Sequence, residues 1–340
     1  MERFISGRSF LLHPKGYKSI KAMRRVVVIL FMTFVALVMW QCGGVKPKEE
    51  AVYNSESYMP GTRTMKRSVE DIFSVATYEE YDAMVTHYWD DFDFKADSAV
   101  VAYDTLDIVY ALSDYVVVIP PRSADSLLRN LISRASESRP VLDFFRTVSE
   151  MVLHDPNSPL RNDEYYIAVL EEILKSPLLD EYDRIAPTYD LEMAQKNRIG
   201  RVANNFTYTL RDGSSGTLHD IEADYTILMF TNPGCPMCRQ IIDQLCASPL
   251  INEMCEVGLL SILSLYPDED IAAWRAYLPE MPRHWINAYD EAMTITNERL
   301  YSLRAIPSLY LLDKEKKVLI KDGTNVAQIE DVISIVESQR

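Results

Sequence analysis

Cysteine, positive charge and long apolar runs are all scarce in this sequence. The 340 residues include five cysteines, and 50 acidic residues stand against 35 basic ones. A chain of this length can bury a substantial core, so its folding does not require a framework of disulfides. The excess of negative charge excludes nucleic acid as a partner, because acidic groups repel the phosphate backbone. The length predicts two domains, or one domain with attachments.

An apolar run near the start of the chain is too short for an ordinary membrane span. It covers fifteen mostly apolar residues from Val26 to Trp40, whereas a spanning helix needs about 20. Two arginines precede the run and Cys42 follows it, an order typical of an export signal. The alternative is a plain membrane anchor with Cys42 as a bystander. The signal starts at either Met1 or Met23.

Cys42 resembles the lipidated first residue of a bacterial lipoprotein, although Gln41 stands where a small residue is usual. The resemblance implies that residues 1–41 are a signal peptide. Its removal takes away seven basic residues and one acidic residue, which leaves 28 Lys+Arg, 49 Asp+Glu and a net charge of −21. Membrane attachment should therefore come from a lipid and not from a basic patch. We expect a lipid-anchored protein of the cell envelope, on the periplasm-facing outer membrane, with the cell surface as the alternative.

The remaining chain divides into three parts by its pattern. Residues 42–67 are polar and predict a flexible tether. Residues 68–199 show the helical period, as in DEYYIAVLEEILKS, and predict an all-α helical domain. Residues 200–340 alternate apolar runs of strand length with amphipathic stretches and predict an α/β domain.

Two details of the helical part carry specific expectations. Ser123 is the expected N-cap of the helix SADSLLRNLISRA, and Pro140 suits the first turn of the next helix. The aromatic residues of EEYDAMVTHYWDDFDF, residues 79–94, are expected in the core, with a ligand cleft as the minor alternative.

A pair of cysteines follows a buried strand in YTILMFTNPGCPMC, residues 225–238. Cys235 falls at the expected helix N-cap and Pro236 at the first helical position, where a missing N–H costs nothing. The helix N-terminus favours a thiolate. Cys235 is therefore predicted to be the catalytic nucleophile, and Cys238, one turn inward, the residue that resolves a mixed disulfide.

The sequence allows several other interpretations of the cysteines. The pair could form a permanent structural disulfide, and a copper site using Met237 is a minor alternative. A zinc site needs two more ligands, and Cys246 and Cys255 lack the usual spacing, so no metal is expected. These two cysteines are expected to be small buried hydrophobic residues, with a second disulfide as the alternative.

The segment from residue 200 to residue 340 resembles the thioredoxin superfamily, and more closely the exported thiol–disulfide proteins of the TlpA type. The hairpin NFTYTLRDGSSGTL, the CPMC pair and the segment RLYSLRAIPSLYLLD follow in that family's order. The resemblance implies an α/β thioredoxin-like fold. It also implies that Ile306-Pro307 forms a cis peptide facing the cysteines and lines a substrate groove with Pro236. The helical part resembles an uncharacterised region that precedes such domains in lipoproteins, which implies no activity for it.

The sequence departs from the family pattern at three places. Gly234 replaces the usual Trp, and Met229 stands where thioredoxin has a buried carboxylate. The chain between the cysteines and Pro307 is longer than in minimal thioredoxins, with room for a helix around Trp274 and for the segment MPRHWINAYDEAM. Asp290 and Glu291 in that segment are candidate replacements for the missing carboxylate.

Together these features predict an enzyme, a membrane-tethered thiol–disulfide oxidoreductase of the cell envelope. Its partners would be envelope proteins that contain thiols or disulfides, and no diffusible cofactor is implied. The alternative is an envelope binding or scaffold lipoprotein whose thioredoxin-like domain is structural.

Overall fold

The computed structural model describes residues 77–323 and 325–339, so the predicted signal peptide, Cys42 and the tether at 42–67 lie outside the described residues. Helices come first along the described chain, in residues 77–195, which we name the helical region. They are α1 (Tyr78–Thr86), α2 (Ala99–Ala102), α3 (Thr105–Val118), α4 (Pro121–Ala135), α5 (Arg139–Leu153), α6 (Asp163–Ile173) and α7 (Ile185–Gln195).

Short polar side chains start most of these helices. Thr77, Asp104, Ser138 and Asn162 each accept a hydrogen bond from a backbone N–H in the first turn of α1, α3, α5 and α6. Each cap satisfies a donor that has no partner within its helix. The prediction of an N-cap at Ser123 is wrong. Helix α4 begins three residues earlier, at Pro121, because proline already has the helical φ and its missing N–H costs nothing at this position.

An aromatic cluster forms the core of the helical region. Phe145 on α5 lies between Trp89, Phe92 and Phe94, with ring centroids 5.3 to 5.5 Å apart. All four side chains are buried. The expectation that the aromatic residues of 79–94 belong to the core is confirmed for Trp89, Phe92 and Phe94, because these rings are buried and pack against Phe145.

The second part of the described chain, residues 200–339, combines a sheet with helices, and we name it the α/β region. Its strands are β1 (Thr207–Leu210), β2 (Ser215–Thr217), β3 (Tyr225–Phe230), β4 (Leu260–Tyr266), β5 (Ile286–Tyr289), β6 (Ser308–Leu312) and β7 (Val318–Gly323). Its helices are α8 (Pro236–Ala247), α9 (Pro249–Glu256), α10 (Ile271–Tyr277), α11 (Thr294–Asn297) and α12 (Val326–Glu337).

The strands of the described residues form one seven-stranded sheet in the order β2-β1-β5-β4-β3-β6-β7. The central strands β3, β4 and β5 run parallel, and the pairs at both sides are antiparallel. Strand β3 has every residue buried, as expected for a strand covered on both faces.

Two cores pack on the two faces of this sheet. Alternation along β3 sends Met229 into one core, together with residues of α8, α9 and α12, and sends Phe230 into the other, with Phe206 and Tyr301. Cys238 is buried in the first of these cores, which we name the cysteine-side core.

Strand β5 was not expected from the sequence. It has four residues inside the segment 281–293, too few to show a strand pattern, and it pairs with β4 on one side and β1 on the other. Pairing on both sides satisfies its backbone groups, which a local pattern cannot reveal. Among the described residues, no helix combines the length and apolarity that crossing a membrane requires.

Candidate active site

The cysteine pair lies where β3 ends and α8 begins. After Phe230, the chain passes through Gly234, whose φ of +74° is left-handed. Glycine adopts this conformation without the strain that a side chain would add. The glycine that replaces the family's tryptophan therefore lets the chain turn directly into the helix.

Cys235 caps α8 through its sulfur. The backbone N–H of Cys238 donates to Sγ of Cys235 across 3.1 Å. Pro236, at the start of the helix, has no N–H to satisfy. The positive end of the helix dipole and this N–H both favour a negative charge on the sulfur. The sulfur of Cys235 therefore sits where a thiolate is stabilised.

The two cysteines differ in their access to solvent. Their Sγ atoms are near disulfide-bonding distance, and their Cα atoms are 5.2 Å apart, within the range of disulfides. Cys235 is partly exposed, whereas Cys238 is fully buried in the cysteine-side core. A large substrate can reach Cys235 and not Cys238. Met237 between them is 55% exposed, an apolar surface beside the reachable sulfur.

A segment distant in sequence completes the site. The peptide between Ile306 and Pro307 is cis, and the carbonyl oxygen of Ile306 lies 3.7 Å from Sγ of Cys235. Ser308, the next residue, pairs with Phe230 at the end of β3. This pairing of β6 with β3 brings Ile306, in the segment 300–307 that we name the proline loop, to Cys235 across 71 residues of sequence.

The core around Cys238 is apolar where thioredoxin would have a carboxylate. Met229 is fully buried in the cysteine-side core. Oδ2 of Asp290 instead accepts from the backbone N–H of Ile295 in α11 at 2.7 Å, and Ile295 packs in the other core. Glu291 accepts a hydrogen bond from Thr209 on β1, which β5 and β4 separate from β3. The structure therefore does not bring either candidate carboxylate to Cys238.

The remaining cysteines of the described chain are free thiols. The expectation that Cys246 is buried is wrong, because Leu245 takes the inward position of the last turn of α8 and the next residue turns to solvent. Cys255 is half-buried. Partial desolvation by neighbouring atoms raises the pKa of both thiols above the ordinary value, and at Cys246 the charge of Asp243 adds to it, so neither thiol is activated. Within residues 77–323 and 325–339, no group of three or more His, Cys, Asp or Glu side chains is placed to hold a metal.

One residue near the site was missed by the sequence analysis. Arg304, three residues before Pro307, has a side chain that is 13% exposed and is paired with Asp163 and Asp322. Arg304 is the one charged residue in the stretch LYSLRAIPSLYLL, which was the available signal, because a largely buried arginine requires partners.

Comparison with known proteins agrees with this architecture. A crystal structure of a thioredoxin-like protein from Bacteroides caccae is 40% identical, covers 77% of this chain and 95% of its own, and superposes with a TM-score of 0.72. The C-terminal domain of an uncharacterized protein from Bacteroides fragilis is 46% identical over 41% of this chain and 98% of its own, with a TM-score of 0.40. The prediction of an α/β thioredoxin-like domain after a helical one is therefore confirmed.

Sequence comparisons match parts of the chain. A family model described as a domain of unknown function (DUF5106) matches residues 66–197. Nucleoredoxin from Homo sapiens is 27% identical over 113 residues, which is 33% of this chain. The matched stretch spans 26% of the length of that curated relative.

Proposed function

The chain belongs to the family of thioredoxin-like proteins, and from this premise we propose that it is a thiol–disulfide oxidoreductase that acts through Cys235 and Cys238. One observation carries the proposal. The partly exposed sulfur of Cys235 caps a helix N-terminus, within bonding distance of the buried sulfur of Cys238. A helix N-terminus lowers the cost of a thiolate, and the thiolate is the species that attacks a disulfide.

The exchange proceeds in two steps that balance. In the reducing direction, the Cys235 thiolate attacks one sulfur of a substrate disulfide, and the second substrate sulfur leaves as a thiolate. Cys238 then loses its proton and attacks Sγ of Cys235, which forms the enzyme disulfide and releases the first substrate sulfur as a thiolate. The reverse sequence introduces a disulfide. Ile306, Pro307 and Pro236 surround the reachable sulfur and are proposed to line the groove for the substrate chain.

A titration in glutathione buffers tests this function. In a variant with Cys246→Ser and Cys255→Ser, the pair should convert reversibly between dithiol and disulfide as a two-electron couple. Brief alkylation of the reduced wild type should label Cys235 before the other described cysteines, because the raised pKa values of Cys246 and Cys255 slow their reaction.

Two results would contradict the oxidoreductase. A pair that is reduced only when the protein unfolds would support the scaffold function instead. Preferential alkylation of Cys238, Cys246 or Cys255 would remove the assignment of Cys235 as the nucleophile.

Tethering to a membrane through a lipid on Cys42 is part of the same proposal. It is supported by the order of basic residues, apolar run and cysteine in residues 24–42. The partners would then be thiol- or disulfide-containing proteins of the cell envelope. Replacing Cys42 by Ser should release the protein from the membrane fraction or leave the signal uncleaved, and unchanged attachment with normal cleavage would refute the lipid.

A further inference from the structure

Arg304 joins the loop of the candidate active site to the helical region. Its Nη2 donates to Oδ1 of Asp163 on α6 and to Oδ2 of Asp322 on β7, each at 3.1 Å. Its Nη1 donates to the backbone carbonyl of His154 at 3.0 Å and to the ring Nδ1 of His154 at 2.5 Å. Three partners thus hold one guanidinium, and two of them belong to the helical region.

The contact with His154 fixes which ring nitrogen carries the proton. Arginine has donors only, so Nδ1 of His154 must accept, and a neutral ring does so. Burial, and then the charge of Arg304, lower the pKa of His154 to about 4, which keeps the ring neutral near pH 7. The histidine is therefore a matched acceptor for Arg304.

At Asp163 and Arg304, pairing with opposite charges outweighs the effect of burial. Burial acts to raise the pKa of Asp163, but the charges of Lys321 and Arg304 outweigh it and the net shift is downward. Burial likewise acts to lower the pKa of Arg304, and Asp163 and Asp322 reverse the shift. Pairing therefore favours the charged forms of Asp163 and Arg304. We name Asp163, Arg304, Lys321 and Asp322 the charged cluster.

Lys321 fixes the helical region onto β7 beside Arg304. Its Nζ lies 2.7 Å from Oδ2 of Asp163 and donates to the carbonyls of Ala194 and Lys196 at the end of α7. The start of α6 and the end of α7 are thus held at the same strand. Asp163, which pairs with Arg304, is therefore itself held in place by Lys321.

The charged cluster is connected directly to the reacting sulfur. The backbone runs from Arg304 through one residue to Ile306, whose carbonyl oxygen lies 3.7 Å from Sγ of Cys235. Pro307 follows, and then β6 begins. A displacement of Arg304 must therefore move the atoms that face Cys235, because β6 anchors the loop at its other end.

We propose that Arg304 is a positioning residue: its pairs with Asp163 and Asp322 set where Ile306 and Pro307 lie against Cys235, so the helical region shapes the substrate groove. This inference rests on the proposed thiol–disulfide exchange. Desolvation offsets most of the attraction within a buried ion pair, so stability alone is a weak reason for the charged cluster. The planar guanidinium instead fixes the direction of several partners at once.

Variants on both sides of the contact test the inference. Arg304→Gln should raise KM for a disulfide-containing peptide about tenfold and leave kcat within about twofold, because the loop binds the substrate chain. Asp163→Asn, in the helical region, should raise KM in the same way. If both act through one contact, the double variant should have a KM no higher than that of Arg304→Gln alone.

Two further variants separate positioning from stability. Arg139→Gln removes an arginine that pairs with Asp183 inside the helical region. It should lower the melting temperature and leave KM unchanged. Arg304→Lys keeps the charge without the planar fork and should restore part of the lost affinity. If Arg304→Gln does not fold, the KM of Arg304→Lys is compared with that of the wild type instead. Amide hydrogen exchange of residues 300–307 should accelerate in Arg304→Gln and not in Arg139→Gln.

The outcomes distinguish this inference from the proposed function. If the wild type shows no reversible couple with glutathione, the proposed function fails and the role of Arg304 fails with it. If the wild type exchanges disulfides but Arg304→Gln and Asp163→Asn leave both KM and the exchange of residues 300–307 unchanged, the positioning role alone is overturned.

Discussion

The helical region and the α/β region use charged and polar groups differently. In the helical region, arginines pair with carboxylates at partly exposed positions, as Arg129 does with Glu171 and Arg139 does with Asp183. In the α/β region, the sulfur of Cys235 lies at a helix N-terminus, where a backbone N–H donates to it. We therefore attribute the reactivity proposed for Cys235 to its place on the backbone, since charges that neutralise one another do not activate a nucleophile.

At the boundary between the two regions, paired charges lie next to the loop that faces Cys235. There Arg304 and Lys321 are largely buried and pair with Asp163 and Asp322. Away from this boundary, neither region has a similarly buried lysine or arginine paired with a carboxylate among the described residues. Substitutions in three places test this difference between the regions: inside the helical core, at the boundary, and in the cysteine-side core.

The largest effect is expected inside the helical core. Phe145→Ala should lower the free energy of unfolding by about 3–5 kcal/mol, because it removes a ring at the centre of the aromatic cluster and leaves a cavity. The equilibrium of Cys235 and Cys238 with glutathione should change by less than about twofold, since the sites share no contacts. Chemical denaturation followed by circular dichroism measures the first quantity.

A neighbouring residue supplies the control for this variant. Phe144 is half-buried, so Phe144→Ala should cost clearly less stability than Phe145→Ala. A cysteine couple that shifts together with the loss of stability would show that the helical core itself, and not only its boundary, acts on the site.

An intermediate effect is expected at the boundary, from His154. Its ordinary pKa of 6.5 falls to about 4 in the folded protein, through burial first and then the charge of Arg304. As the pH falls through 6.5, His154 becomes protonated in the unfolded chain, whereas in the folded chain it becomes protonated only near pH 4. The stability that this histidine contributes is therefore fully present above pH 6.5 and lost on the way to pH 4, to the extent of about 3 kcal/mol.

The variant His154→Asn isolates this contribution. Asparagine keeps an oxygen that can accept from Arg304 but does not titrate. The difference in unfolding free energy between pH 7 and pH 4 should be smaller in the variant, by about 3 kcal/mol. Equal slopes in the two proteins would mean that the histidine is protonated in the folded state and that its contact with Arg304 is wrong.

Local patterns in the sequence predict much of this molecule. The helix N-cap at Cys235, the buried strand before it and the hairpin of β1 and β2 follow from residues that are neighbours in the chain. The aromatic core is also predictable, because so many large apolar rings are removed from water most effectively by packing against one another.

Features that depend on distant partners could not be predicted in this way. Strand β5 exists through pairing with β1 and β4, and the exposure of Cys246 depends on which face of α8 the sheet covers. The charged cluster joins residues more than a hundred positions apart, and no periodicity links Asp163 with Arg304.

The smallest effect is expected in the cysteine-side core, from Met229. Burial disfavours the thiolate that Cys238 needs for its attack, and Met229 cannot accept the proton. Resolution of a mixed disulfide at Cys235 should therefore be slow at neutral pH and accelerate with alkalinity. Met229→Asp should speed this step about tenfold near pH 7, because a carboxylate in that core can take the proton.

The measurement is the rate at which the reduced protein releases a thiol from a mixed disulfide formed at Cys235, followed across the pH range. Met229→Asn is the matched control, because it introduces a polar group of the same shape that takes no proton. Both variants should lose about 1–3 kcal/mol of stability, since each buries an unpaired polar group. Only Met229→Asp should accelerate release. A wild type that releases the thiol rapidly and with no alkaline dependence would show that Cys238 already has a proton acceptor, and the assignment of Met229 as the missing one would be wrong.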